Sequence, residues 1–160
     1  MSTSPNLRER ARALSDAEFA QIPWVSALTA DEREHVRQDM LVTIAQPGDY
    51  VVRIGRPVTY WFGLIEGLLK MSNDDRLGSA ITFTGIAPGG WFGEGTVLKR
   101  EPYRYNIQAL RVSRVVGIST EMFDWLKANF DVILVDTAPV GMVSDAMTLS
   151  KFADSTLYLV

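Results

Sequence analysis

Hydrophobic positions change their spacing along the chain, and each change predicts a different kind of structure. The first forty residues are charged and helix-prone. Segments 6–14 and 16–21 are rich in Arg, Ala and Glu, with Ser15 or Asp16 as caps, and predict two short helices around a turn. Thr29, followed three residues later by Glu32, forms a capping box that starts another helix running to Gln38. From Leu41 to Ser119 the apolar runs become short or alternating, at 41–45, 50–54, 60–65, 68–72, 80–86, 107–110 and 115–118. Turn residues separate them at Pro47-Gly48-Asp49, Gly55, Glu66-Gly67, Asn73 to Gly78 and Pro88-Gly89-Gly90, which predicts an antiparallel sandwich or roll. Residues 120–128 return to helical spacing, with Met122, Trp125 and Leu126 on one face and Ser119 or Thr120 as cap. Trp61, Phe62, Phe83, Trp91 and Phe92 alternate with small residues and are expected in the core.

The last stretch, 130–160, has a different grammar. Residues 132–135 are a continuous apolar run ending in Asp136, as in a strand buried on both faces of a parallel sheet. Residues 144–153 read as a helix and 156–160 as a second strand. One strand–helix–strand unit cannot bury both of its faces alone, so it is expected to lean on the roll or a partner chain, or to remain partly disordered. Two domains follow, 1–129 and 130–160.

Composition narrows the chemistry. A chain of 160 residues with 47% hydrophobic content can build a real core. Charge is balanced over 1–129, so the net −3 comes from 130–160, where Lys151 stands against Asp131, Asp136, Asp145 and Asp154. That distribution disfavours nucleic acid as a direct partner. With no cysteine, disulfides, thiol nucleophiles and thiolate metal sites are excluded. No run approaches about 18 apolar residues and no leader-like segment opens the chain, so a soluble cytoplasmic protein without a membrane partner is expected. His35, the only histidine, sits between Glu32, Glu34 and other charges and reads as a surface residue. Asp74-Asp75 read as turn formers. No enzyme is expected, and no cofactor.

The segment Gly89-Gly90-Trp91-Phe92-Gly93-Glu94-Gly95-Thr96-Val97-Leu98 carries most chemical content. Glycines at 93 and 95 let backbone N–H groups approach a ligand, Thr96 can open a short helix, and Glu94 offers an acceptor for a sugar hydroxyl. By spacing alone the same loop reads first as a plain strand connection, since most Gly-rich connections merely turn.

The ordered series Ile22-Pro23-Trp24, Pro47-Gly48-Asp49 with Gly55, Tyr60 to Gly67, Pro88 to Glu94, Pro102, Ala109-Leu110 and Ser113-Arg114-Val115 resembles the cyclic-nucleotide-binding sensor domains of Crp/Fnr-type regulators over about 20–129. The resemblance implies an eight-stranded antiparallel β-roll of the jelly-roll type with flanking helices, holding a small ligand such as cyclic AMP above a phosphate-binding cassette. It implies that Glu94 accepts from the ribose hydroxyl and that Gly93 contacts phosphate, with Gly95 and Thr96 beside them. The chain departs from the pattern at Tyr103, where the family's phosphate-binding Arg falls, and at Asn106. Arg104 reads either as a substitute for that Arg or as a solvated charge between Tyr103 and Tyr105. The regulators continue into a long dimerisation helix and a helix-turn-helix, which 130–160 does not resemble. That segment, from Phe130 through Asp136 to Val160, is instead similar to the Walker B region of bacterial polysaccharide-export tyrosine kinases, in which the residue at Asp136 helps hold magnesium. No G-x-x-x-x-G-K-[ST] loop accompanies it, so ATPase chemistry is not expected. The whole reads as a ligand sensor joined to an ATPase-like fragment or, alternatively, as a ligand-free module whose C-terminal segment docks on a partner or self-associates.

Overall fold

The computed structural model describes residues 7–74, 80–131 and 150–155. Side-chain caps fix the N-terminal region. The Ser15 hydroxyl accepts from the Glu18 backbone N–H, and the Glu18 carboxylate accepts from the Ser15 N–H at 2.9 Å, closing a capping box on α1 (Asp16–Phe19). α2 (Ala30–Asp39) starts with the expected Thr29–Glu32 box. A 3-10 turn, Pro23–Ala27, lies between them. The helix expected over 6–14 is corrected. Leu7–Arg10 is a 3-10 turn and Arg12–Ala13 is a two-residue strand, β1, paired with β2 (Leu41–Ala45). A short helix is marginal on propensity alone, and the edge of β2 offers backbone partners that the sequence of 6–14 does not advertise.

The remaining strands are β3 (Tyr50–Val52), β4 (Tyr60–Glu66), β5 (Leu69–Asp74), β6 (Ala80–Ile86), β7 (Trp91–Phe92), β8 (Asn106–Ala109) and β9 (Ser113–Ser119). They form two antiparallel sheets, ordered β1-β2-β9-β4-β7 and β3-β8-β5-β6. The mainly β class with flanking helices is as expected. The described residues hold nine strands where eight were expected, and β1 and β7 are the two that no apolar run marks.

Five of the seven residues of β9 are buried. Val115 joins Leu64, Leu69, Phe92 and Ile107 in the core between the sheets, while Val116 and Ile118 face Val36, Met40 and Met122 from the helices. Its continuous apolar run follows from having two faces to cover. α4 (Thr120–Asn129) is capped by Ser119, whose hydroxyl accepts from the Met122 N–H. The Asp39 carboxylate at the end of α2 accepts from both the N–H and the hydroxyl of Ser119, each at 2.7 Å, and so ties the start of α4 to α2. His35 is exposed, its ring 4.5 Å from that of Trp125 on α4. Phe83, expected in the core, is 51% exposed, because β6 is the outermost strand of its sheet and projects beyond the packed layers. Of the expected helix 144–153, Ser150–Phe152 is a 3-10 turn and Ala153 is not helical, while 144–149 lie outside the described residues, as do the expected strands 132–135 and 156–160 and the residue Asp75.

Glu18 is a buried carboxylate at the junction of these layers. It receives both terminal nitrogens of Arg12, at 2.7 and 2.8 Å, and lies 3.3 Å from Arg114 on β9. The Arg12 hydrogen bonds, opposed by burial and aided by the Ser15 N–H and hydroxyl, bring its pKa down from 4.5 to about 2. A carboxyl whose folded pKa lies below its unfolded value stabilises fully above the unfolded pKa and loses that contribution as pH falls through the folded one. Stability is therefore expected to hold down to about pH 4.5 and then fall by on the order of 3 kcal/mol toward pH 2. Glu18→Gln should lower stability at neutral pH by about 2–3 kcal/mol and flatten that acid slope. Urea denaturation of both proteins across this pH range checks it.

Candidate functional site

The glycine-rich segment is seated on β4 by backbone. The Gly89 N–H donates to the Leu64 carbonyl at 2.8 Å, and the Leu64 N–H donates to the Gly90 carbonyl at 2.9 Å. β7 then pairs with β4, Gly63 opposite Trp91. A Cβ at residue 63 would stand 2.4 Å from the Trp91 ring, so the indole lies flat on the strand only because that position is glycine. Trp91 meets Trp61 at 4.4 Å and Trp24 at 5.3 Å between ring centroids, and Trp61 meets Phe123 of α4 at 5.3 Å. One aromatic cluster thus joins the N-terminal 3-10 turn, β4, the candidate site and α4.

After β7 the chain turns through Gly93 at φ +90, a left-handed conformation that L side chains rarely adopt, and enters α3 (Glu94–Lys99). The Gly93 carbonyl accepts from the Val97 N–H at 2.9 Å. α3 ends at Arg100, whose φ of 54 makes it the one non-glycine residue with positive φ among the described residues. Its guanidinium pairs with the Asp124 carboxylate and reaches the Thr120 carbonyl, both on α4. Glu121, beside them, is held below the ordinary carboxyl range, first by its own backbone N–H and the Thr120 hydroxyl and further by Arg100.

Across from α3, Tyr103 is buried at 4% exposure and its hydroxyl donates to the Tyr60 carbonyl at 3.1 Å. Its backbone is clamped to the loop before β4, the Tyr103 N–H donating to the Arg56 carbonyl and its carbonyl accepting from the Gly55 N–H. Tyr105 packs edge-on against Tyr103, and its hydroxyl lies 3.4 Å from the Thr96 hydroxyl and against Gly93. Asn106 is buried and accepts from the Ile54 N–H at 3.1 Å, which joins β8 to the end of β3. Arg104 faces outward, 78% exposed, in an ion pair with Glu101 at 3.0 Å.

Of the residues singled out from the sequence, Gly93, Glu94, Gly95 and Thr96 therefore lie together at the start of α3, with Glu94, Gly95 and Thr96 half-buried. Tyr103 is in the adjoining core, Asn106 is in the strand that follows, and Arg104 is on the surface. Tyr105 is the residue that sequence reasoning passed over. The aromatic pair at 103 and 105 straddling an arginine was its only signal. Elsewhere, Arg10 and Arg12 border a groove of about 280 Å³ over Val42, Ile44 and Gln46, both already paired, with Asp49 and Glu18. Among the described residues there is no cluster of three His, Cys, Asp or Glu able to hold a metal, and no helix long and apolar enough to cross a membrane.

Residues 43–130, more than half of the chain, match the family model of the cyclic nucleotide-binding domain. The chain belongs to that family. The fold of this cyclic nucleotide-binding domain is similar to that of the regulatory domain of Toxoplasma gondii PKA solved with cAMP, at TM-score 0.63 and 20% identity over 86% of this chain and 47% of that one. It is similar to the regulatory subunit of a cAMP-independent protein kinase A from Trypanosoma cruzi bound to guanosine, at TM-score 0.62 and 16% identity over 71% of this chain and 40% of that one. A Crp/Fnr-like neighbour is the sensor domain of the transcriptional regulator DNR from Pseudomonas aeruginosa, at TM-score 0.61 and 15% identity over 80% of this chain and 78% of that one. The chain spans less than half the length of the kinase regulatory subunits it matches. No curated protein sequence is similar enough to count as a relative. None of these likenesses bears on the Walker B resemblance of 130–160.

The left-handed turn at Gly93 gives a direct test of this geometry. Gly93→Ala should cost about 1–2 kcal/mol in urea denaturation and Gly93→Asn less, since Asn tolerates that region better.

Proposed function

We propose that this domain is the non-enzymatic ligand sensor of a cytoplasmic, Crp/Fnr-type transcription regulator, and that a small molecule bound against Gly93, Glu94, Gly95 and Thr96 shifts α3 relative to the roll. The observation that carries the reading is the convergence, in a domain of this family, of the left-handed Gly93 turn and the Thr96 and Tyr105 hydroxyls on one side of a short helix. Such a switch works only if the ligand binds the two positions of α3 unequally.

The ligand class follows from what the site offers. Tyr103 stands where the family's Arg would fork onto a cyclic phosphate, and its hydroxyl is engaged with Tyr60. Arg104 would have to leave Glu101 and turn inward to replace it. We therefore assign recognition to backbone amides, the Glu94 carboxylate and hydroxyls. A nucleoside or nucleotide sugar face suits that set, and among the fold's neighbours one is solved with cAMP and another with guanosine.

Calorimetric or thermal-shift titration of the full chain with cAMP, cGMP and guanosine tests this. Saturable binding of at least one is expected, with about 2.7 kcal/mol of stabilisation at a ligand concentration one hundred times Kd. Glu94→Gln should weaken it about tenfold or more, as removal of a charge-assisted hydrogen bond does, while Arg104→Ala should change Kd by less than about twofold. No response to any of the three would leave the ligand-free interaction module as the better reading.

A further inference from the structure

At the far edge of the β1-β2-β9-β4-β7 sheet from the cassette lies the groove of about 280 Å³ lined by Arg10, Arg12, Val42, Ile44 and Gln46. Val42 and Ile44 take one face of β2, and Arg12 joins them through its register with Val42. The helical layer covers Val42, 1% exposed, and stops before Ile44, 40% exposed. Apolar surface is thus left open beside two guanidinium groups. Both arginines are anchored, yet neither is saturated. Of the five N–H groups on a guanidinium, Arg10 engages one with the Ile44 carbonyl at 3.2 Å and one with Asp49 at 2.8 Å. Its Nε is buried and meets no acceptor. Arg12 gives one to the Ala13 carbonyl and two to Glu18. The Arg12 side chain is 51% exposed and that of Glu18 4%, so the cation is presented to water and the anion lies beneath it. No carboxylate is among the residues that line the groove.

We propose that this groove is a second ligand site, one that takes a small organic monocarboxylate with a short apolar tail, its head on Arg10 and Arg12 and its tail over Val42 and Ile44. Charge complementarity sets the head group, since a guanidinium fork matches the two oxygens of a carboxylate. A buried donor without an acceptor is a standing cost, which a carboxylate seated on Arg10 can remove. Volume sets the size. The groove stands at the bottom of the range of small-molecule pockets, about 300–1,000 Å³, which suits a short-chain or single-ring acid rather than a nucleotide or a peptide. Because β9 and β4 separate it from β7, the site stands apart from the cassette and does not depend on the sensor reading.

Titration of the isotope-labelled full chain with hexanoate and benzoate, each matched by its alcohol, hexanol or benzyl alcohol, tests this through amide chemical shifts. Saturable shifts at residues 10–12 and 42–46 are expected, with Kd on the order of 1 mM, as ligands of this size reach. The alcohols should bind at least about tenfold more weakly, having lost the charge-assisted pair. Arg10→Gln should weaken the acids about five- to tenfold. Ile44→Glu, at a partly exposed position, sets a like charge in the groove and should abolish saturation. Unmoved amides in β4 and β5 show that each variant keeps the fold. The site is overturned by absence of saturation up to about fifty times that Kd, by alcohols that bind as tightly as the acids, by shifts confined to residues 93–96, or by a folded Arg10→Gln or Ile44→Glu protein that binds unchanged. None of these results touches the nucleoside titration, which judges the cassette by itself.

Discussion

Because β9 is buried on both faces, Val115 on the side between the sheets and Val116 and Ile118 on the helical side, neither hydrophobic core can form without the other. β9 lies between β2 and β4, pairs with both along most of its length, and runs straight into the cap of α4. The helices therefore do not decorate a finished roll. They cover the second face of a strand that would otherwise expose valine and isoleucine to water, a cost of roughly 1.5–3 kcal/mol for each such side chain. Everything that positions the candidate site, from the seat of β7 on β4 to the place of α4, is referred to this strand.

The site itself is held less by burial than by special backbone. α3 is only six residues long and is bounded by left-handed residues at both ends, Gly93 and Arg100. A helix that short has little intrinsic stability. Its placement comes from the neighbours at its ends: Trp91 pressed onto Gly63 before it, and Tyr103 clamped between Arg56 and Gly55 after it. Bounded in this way, α3 is positioned by the chain on either side of it rather than by its own helical propensity.

Much of this was legible in the sequence, for identifiable reasons. The strands between Leu41 and Ser119 were visible because alternation and turn residues agree, and the starts of α1 and α2 because capping boxes are written in consecutive residues. β1 was not visible, since Arg12-Ala13 has no apolar period and becomes a strand only by pairing with Val42 and Leu41. β7 was hidden in a glycine-rich run whose composition signals a loop. Phe83 was misplaced because alternation tells which side of a strand a residue takes, not whether anything covers that side. At the site, Gly93 and Thr96 could be picked out by local spacing, whereas Tyr105 acquires meaning only once the fold brings it to Thr96. Arg100 gave no signal at all, since arginine does not mark a left-handed turn. Asp39 and Ser119, eighty residues apart, are likewise joined only by the fold.

The tryptophans have one further consequence. Trp24, Trp61 and Trp91 lie with ring centroids 4.4 to 6.0 Å apart, and Trp125 stands separately on α4 against His35. At such separations the electronic transitions of neighbouring indoles couple, so the three clustered rings absorb circularly polarised light as one chromophore. The molecule carries its own optical gauge: the near-ultraviolet dichroism of the cluster reports the seating of β7, with no label attached.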